Sequence, residues 1–276
     1  MRIECRKIFA LGAALLSLGL AGCQGGNTSS APAETSVQVQ QFNKIQDLDG
    51  KRIGLQAGTN MDSTVLAVLP NVQFRNYKSY SDLVDALKDG KIDAIPGDEP
   101  VMMEMCAKDD RLKMLDGYLE TFDFGYAFAK TDEGQKLCDE FSEYLDEIRS
   151  NGELNKLKDK WMGADESAKV TEDYTQLPAT NGSLVMVTEG DYAPFNYFKD
   201  GKLTGYDIDI AINFCKEKGY ALQVNTIEFS KVLDTVSSGS ADFAGAGITI
   251  TEERAEQVLF SSPNYSGGVS LVVLDH

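Results

Sequence analysis

Along this chain, short apolar runs with a period of two give way repeatedly to stretches of helical period. That alternation is the signature of an α/β protein. Residues 52–56 (RIGLQ) read as a strand, and Ala57-Gly58-Thr59-Asn60 as a turn into a helix near 61–69. Residues 72–77 alternate as a second strand. Ser81 is the expected cap of the helix SDLVDALKD, which Gly90 closes. A short strand follows at 92–95. Glu99 and Pro100 then open another helix, with Pro where its missing N–H costs nothing. Strands are expected at 111–116 and 124–130, and helices near 133–149 and 153–161, parted by Ser150-Asn151-Gly152. Residues 164–182 have no period and are rich in turn formers, so they read as a linker. The alternation then resumes with strand 183–188, helix 205–218, strand 221–227, helix 230–237, strand 241–244, helix 251–257 and strand 268–274.

The two stretches echo one another. Val84-Asp85-Ala86-Leu87 leads to Gly90 and Asp93, and Leu233-Asp234-Thr235-Val236 leads to Gly239 and Asp242. Each is a helix, a Gly stop and a short buried strand. Each strand runs into a Gly-containing loop, Pro96-Gly97-Asp98 in one half and Gly245-Ala246-Gly247 in the other. Ligands of open α/β sheets sit at such carboxyl ends, so two similar lobes present two loop sets across a cleft. Asp93 and Asp242 recur at equivalent places and read as structural. The acidic stretch CDEFSEYLDE (138–147) reads as a solvated helix face.

Composition narrows the chemistry. The formal net charge is -17 over 276 residues, which disfavours nucleic acid as a partner. The one His, His276, leaves no Ser-His-Asp or Cys-His catalysis and no HExxH zinc site in this sequence. At the other end, Arg2, Arg6 and Lys7 precede an apolar run over 8–20, too short to span a bilayer comfortably and right for an export signal. The run ends in Leu20-Ala21-Gly22-Cys23, which resembles a bacterial lipobox. The resemblance implies cleavage after residue 22 and a lipid on Cys23, hence an extracytoplasmic protein anchored to the cell membrane. A small, polar tether follows. Cys106, Cys138 and Cys215 lie in apolar-periodic helical stretches and read as buried thiols, with a single disulfide left open.

Several longer stretches resemble the extracellular solute-binding proteins of family 3, the polar amino acid receptors of ABC transporters. They are DLDGKRIGLQAGTN (47–60), DALKDGKIDAIPGDEP (85–100), FGYAFAKTDEGQ through LNKLKDKWMG (124–163), VTEGDYAPFNYFKDGKLTGYDIDIA (187–211) and SSGSADFAGAGITITEERAEQVLFSSPNY (237–265). The resemblance implies a two-lobed, hinged α/β fold of the type II periplasmic-binding-protein kind. The lobe order departs from the family, because the segment like its second lobe comes first. The chain therefore looks circularly permuted, with the break in a hinge strand and the family's old ends joined by the linker. A swapped dimer or a fragment of a longer tandem receptor gives the same order; a monomer is the expectation here. The resulting division is a signal peptide over 1–22, a tether and hinge segment over 23–45, lobe II over 46–130 and helices packing on lobe I over 131–163. Linker 164–182 and lobe I over 183–276 complete it. Residues 37–40 (VQVQ) are candidates to pair with 268–274 and rebuild the hinge.

A zwitterionic amino acid calls for a guanidinium and N–H donors at one end and a carboxylate at the other. Thr249-Ile250-Thr251-Glu252 is a capping-box pattern, and Arg254 sits in the first turn behind it, where the helix dipole disfavours a cation. That placement points to an anionic partner, with a surface pair to Glu252 or Glu256 as the alternative. The resemblance makes Arg254 the fork on the ligand carboxylate, helped by Thr249 and the Gly247 backbone. It makes Asp98 the acceptor for the ammonium, a role compatible with capping the 99–108 helix. Asn60, in the Gly58-Thr59-Asn60 turn, is implied to reach the carboxylate from the other lobe, and Gln56 to face the ligand side chain. Glu189 and Tyr192 are implied to face the ligand, while Phe195 and Tyr197 are equally well read as core. Glu189 is one carboxylate more than the ammonium requires, so the expected ligand is a polar, cationic or donor-ended amino acid. No cofactor or metal is implied, and no enzymatic activity. The expected partner is an ABC permease. The alternatives are an enzyme on the same fold, similar to the cyclohexadienyl dehydratases, and a sensing subunit that passes closure to a signalling partner.

Overall fold

The computed structural model describes residues 41–275. The export signal, the Cys23 lipid site, most of the tether and the proposed pairing of 37–40 lie outside the described residues. Strands β1 (Arg52–Gln56) and β2 (Gln73–Tyr77) flank helix α1 (Met61–Val68), and they pair in parallel. Helix α2 (Tyr80–Lys88), strand β3 (Ile95–Asp98), helix α3 (Glu99–Lys108) and strand β4 (Leu112–Met114) follow. Strand β5 (Thr121–Phe124) leads to β6 (Ala127–Phe128), and helices α4 (Asp132–Ser150) and α5 (Glu153–Met162) come next. The remaining elements are β7 (Ser183–Thr188), a three-stranded antiparallel unit of β8 (Asp191–Tyr192), β9 (Asn196–Lys199) and β10 (Lys202–Thr204), α6 (Tyr206–Lys218) and β11 (Ala221–Thr226). Then come α7 (Val232–Ser237), β12 (Phe243–Ala244), α8 (Glu252–Gln257), β13 (Leu259–Phe260) and β14 (Tyr265–Leu274).

Two sheets result, and each borrows a strand from the far side of the molecule. In one, β14 lies between β3 and β4, while β1 joins β3 through an Ile53–Ala94 bridge. In the other the order is β11-β7-β12-β6-β13, with β6 antiparallel to its neighbours. We call these lobe II and lobe I with their flanking helices. Between them β5 runs antiparallel to the first part of β14, so two adjacent strands form the hinge. The expected division at 130 shifts accordingly: Ala127–Phe128 belong to the lobe I sheet, and Val269–Leu274 to the lobe II sheet.

The internal echo has a direct cause. Asp93 N–H donates to Arg52 O, and its carboxylate accepts from Arg52 N. Asp242 repeats this with Val185. Each aspartate thus ties the strand after its helix to the neighbouring parallel strand. Helix α4 is amphipathic: Cys138, Phe141, Tyr144, Leu145 and Ile148 are buried, while Asp139, Glu143, Asp146 and Glu147 face solvent. Helix α5 docks through Trp161, fully buried, whose Nε1–H donates to Asp209 of α6 (2.9 Å). Cys106, Cys138 and Cys215 are all free thiols.

Three local expectations need correction. Ser79, not Ser81, caps α2, its Oγ accepting from Asp82 N (3.1 Å); the helix starts two residues earlier because Tyr80 is buried. The strand expected at 92–95 lies at Ile95–Asp98 and includes Pro96. Pro96 has no N–H to donate, and the bridge to β1 stands at Ala94, ahead of it, so the strand pairs without a bond from position 96 to β1. The linker holds no regular element but is well anchored: Lys199 donates to Glu166, Lys160 to Val170 O, and Lys216 pairs with Glu172. Within it, Lys169 is buried between Glu166 and Glu104 of α3.

Candidate functional site

The loops leaving the carboxyl ends of β1, β3, β7 and β12 meet between the sheets around a narrow cavity. Lobe II contributes Gln56, the last residue of β1, Asn60 at the entry to α1, and Asp98, the last residue of β3. Lobe I contributes Glu189 and Tyr192 after β7, Gly247 and Thr249 after β12, and Arg254 of α8. Every residue singled out for the ligand in the sequence therefore lines one cavity. Thr59, Met61, Tyr80, Phe229 and Ala246 complete the wall and were not anticipated. Phe229 lies 5.8 Å from the Arg254 guanidinium, and Tyr80 and Tyr192 meet ring to ring at 5.2 Å across the cleft. Phe195 is core, fully buried and packed on Tyr192, Phe124, Tyr206 and Tyr265. Tyr197 is buried as well.

Charge in the cavity is poorly compensated. Asp98 is 2% exposed, and burial pushes its carboxyl well above the usual range, with the Arg254 charge opposing. It occupies the cap position of α3 but makes no capping bond, so the capping half of its expected role is absent. Its Oδ1 has no hydrogen-bond partner. Burial pushes the Glu189 carboxyl up to about 8; the Asp191 charge adds to this and a bond from Gln56 opposes it. Glu189 Oε1 accepts from Gln56 Nε2 across the cleft, while Oε2 has no partner. An unpartnered buried acceptor is costly, so two in one cavity mark a place prepared for donors.

The cation is placed to complement an anion. Arg254 donates from Nη1 to Thr249 O and from Nη2 to Gly58 O of the other lobe, both at 3.0 Å. Both partners are carbonyls, so its charge keeps no carboxylate of its own through these bonds. Thr251 caps α8, its Oγ1 accepting from Arg254 N (3.2 Å). Gly247 departs from expectation: its N–H donates to the buried Asp207 carboxylate (2.9 Å) and is not available to a ligand. Its left-handed conformation (φ +58) and the approach of Tyr192, 2.5 Å from where a Cβ would stand, explain why Gly is needed there. Among the described residues, no group of three or more His, Cys, Asp or Glu is arranged to hold a metal ion.

A family model, that of the bacterial extracellular solute-binding proteins, family 3, matches residues 184–276. An arginine-binding periplasmic protein of Mannheimia haemolytica is 34% identical over 116 residues, 41% of this chain and 49% of the relative. The arginine-binding extracellular protein ArtP of Bacillus subtilis (strain 168) is 29% identical over 120 residues, 41% of this chain and 47% of the relative. The chain thus spans about half the length of the curated relatives it matches. Among solved structures, an ABC transporter periplasmic substrate-binding protein from Coxiella burnetii is 13% identical, covering 82% of this chain and 85% of its own, at a TM-score of 0.43. That overlap is too loose to bear on function. The likeness to the bacterial extracellular solute-binding proteins, family 3, is thus carried by residues 184–276, about the last third of the chain.

Proposed function

We propose that this chain is the substrate-binding lipoprotein of an ABC importer, and that it captures a cationic amino acid between its lobes by hinged closure. One observation carries the reading: a narrow cavity between the lobes holds two carboxylate oxygens without partners, Asp98 Oδ1 and Glu189 Oε2, together with the Arg254 guanidinium. With both carboxyls ionised, as a bound cation requires, two carboxylates and one guanidinium leave one negative charge. An amino acid with a cationic side chain brings one carboxylate and two cations, and neutralises the site. Arg254, with Thr249 and Asn60, takes the ligand carboxylate; Asp98 takes the ammonium; Glu189 and Gln56 take the side-chain end. Tyr192, Tyr80 and Phe229 form the apolar wall. A ligand held by both lobes favours the closed state by its differential contacts. The two arginine-binding relatives agree with this ligand class. In this reading the lobe order is a circular permutation that closes within one chain, which the interleaved sheets support. Cys23 carries the membrane anchor, and the closed form docks on a permease.

A thermal-unfolding screen of the soluble chain from residue 24 against the polar amino acids tests the reading. A ligand present at 100 times its Kd stabilises by about 2.7 kcal/mol. L-arginine, L-lysine or L-ornithine is expected to raise the midpoint by several degrees. No shift with any amino acid would remove the assignment.

A pH dependence follows from Glu189. Its carboxyl is neutral below about 8 in the closed, unliganded cavity, and a bound cation needs it ionised. Arginine binding therefore releases protons near pH 7, and affinity rises with pH until about 8. For the unliganded fold the sign is opposite. A raised carboxyl contributes stability that is fully present below its ordinary value of 4.5 and is lost as pH rises through about 8. Titration calorimetry in two buffers of different ionisation enthalpy measures the release. Glu189→Gln should reduce both the release and the pH slope, and unchanged values in that variant would remove Glu189 from the ligand.

A further inference from the structure

We propose that Asp191 is a positioning residue for closure, which caps helix α2 of the opposite lobe and so sets how tightly the cavity holds its ligand. This rests on the amino acid reading above. Helix α2 already has its own cap in Ser79, yet its first turn keeps further N–H groups that the helix cannot satisfy. Ser81 supplies two donors there. Its N–H donates to Asp191 Oδ2 (3.0 Å) and its Oγ–H to Asp191 Oδ1 (2.9 Å). Ser81 belongs to lobe II, whereas Asp191 lies on β8 of lobe I, two residues beyond Glu189. A carboxylate at a helix N-terminus gains from both the donors and the helix dipole.

The contact exists only with the lobes together. When they part, Asp191 and both Ser81 donors return to water, so the bond stabilises the closed state alone. Of the other bonds across the cleft, the Gln56–Glu189 and Arg254–Gly58 contacts use residues of the cavity wall, which the ligand itself engages. Lys78–Glu228 is an exposed pair (76% and 40% of the side chains accessible), of a kind that contributes little. Asp191 and Ser81 stand outside the cavity wall, in a lateral groove. Their chain neighbours, Tyr192 and Tyr80, are the two rings that meet across the cleft. The cap therefore holds one wall of the cavity shut without touching the ligand.

The test compares wild type with Asp191→Ala, Asp191→Asn and Ser81→Ala, using L-arginine titration and small-angle scattering of the unliganded and saturated proteins. Asp191→Ala is expected to weaken arginine about 10-fold, with most of the change in the dissociation rate. Asp191→Asn, which keeps an acceptor, is expected to recover part of the loss. Ser81→Ala, which keeps the N–H, is expected to lose less than Asp191→Ala, and the two alanine changes together should lose less than their sum. The unliganded radius of gyration is expected to grow in Asp191→Ala while the saturated value stays. Wild-type affinity in Asp191→Ala, or identical unliganded scattering, overturns the proposal. If L-arginine fails to bind the wild type, the ligand reading falls, and the unliganded scattering still decides the clamp.

Discussion

Asp98→Asn is expected to move binding and stability in opposite directions. The carboxylate is buried, one oxygen lacks a partner, and its nearest opposing charge, Arg254, shares no hydrogen bond with it. In the unliganded protein such a group is a cost. Asparagine keeps the shape and removes the charge, so the unliganded midpoint should rise, by about 2–4 °C for each kcal/mol gained. In the complex the same change removes the charge that meets the ligand ammonium. Breaking one side of a buried charge pair costs about 2–5 kcal/mol, so affinity should fall by at least about 30-fold. Thermal unfolding with and without ligand measures both. A variant that binds as wild type does would remove Asp98 from the site, and one less stable without ligand would mean that its carboxylate has a partner after all.

Trp161→Ala is expected to have the largest effect on stability. Trp161 is fully buried where α5 meets α6, packs edge-on to Tyr197 at 6.4 Å, and donates its Nε1–H to Asp209. Truncating a buried Trp costs about 3–5 kcal/mol through the cavity it leaves. Here the loss includes a donor to a carboxylate that is 3% exposed, leaving Lys160 (2.7 Å) on the same oxygen. In a domain of this size the midpoint should drop on the order of 10 °C. Trp161→Phe, which preserves most of the packing, should separate the hydrogen bond from the volume. A loss below about 1 kcal/mol in Trp161→Ala would show that α4 and α5 are docked by other contacts.

Much of the fold was legible because its signals are local. The 3.6-residue period gave α4 and α6 nearly to their ends, and Pro100 and Gly90 mark a start and a stop that the chain obeys. The short strands were not legible. β8, β9 and β10 each hold four residues or fewer and exist through pairing, which no single segment encodes. The Ser79–Ser81 choice failed for a related reason: either serine can cap, and burial of Tyr80 decides. At the site, the loops after buried strands and the resemblance named residues that the fold brings to the lining of one cavity. Phe229 and Tyr80 carry no such mark, since nothing in one dimension tells a cleft aromatic from a core one. The Gly247 amide was misassigned because its acceptor, Asp207, lies on a distant helix.

The interleaved sheets also govern how the chain can be made. A ribosome delivers β3 and β4 long before β14, the strand that must lie between them. Until it arrives, the earlier sheet has a gap and open edges, and exposed edges invite pairing with other chains. The lobe II sheet can therefore be completed only after synthesis has passed through lobe I, so the two lobes mature together rather than in sequence. A chain stopped before Tyr265 should leave neither hinge nor lobe II sheet complete, and should be a substrate for proteolysis rather than a smaller working domain.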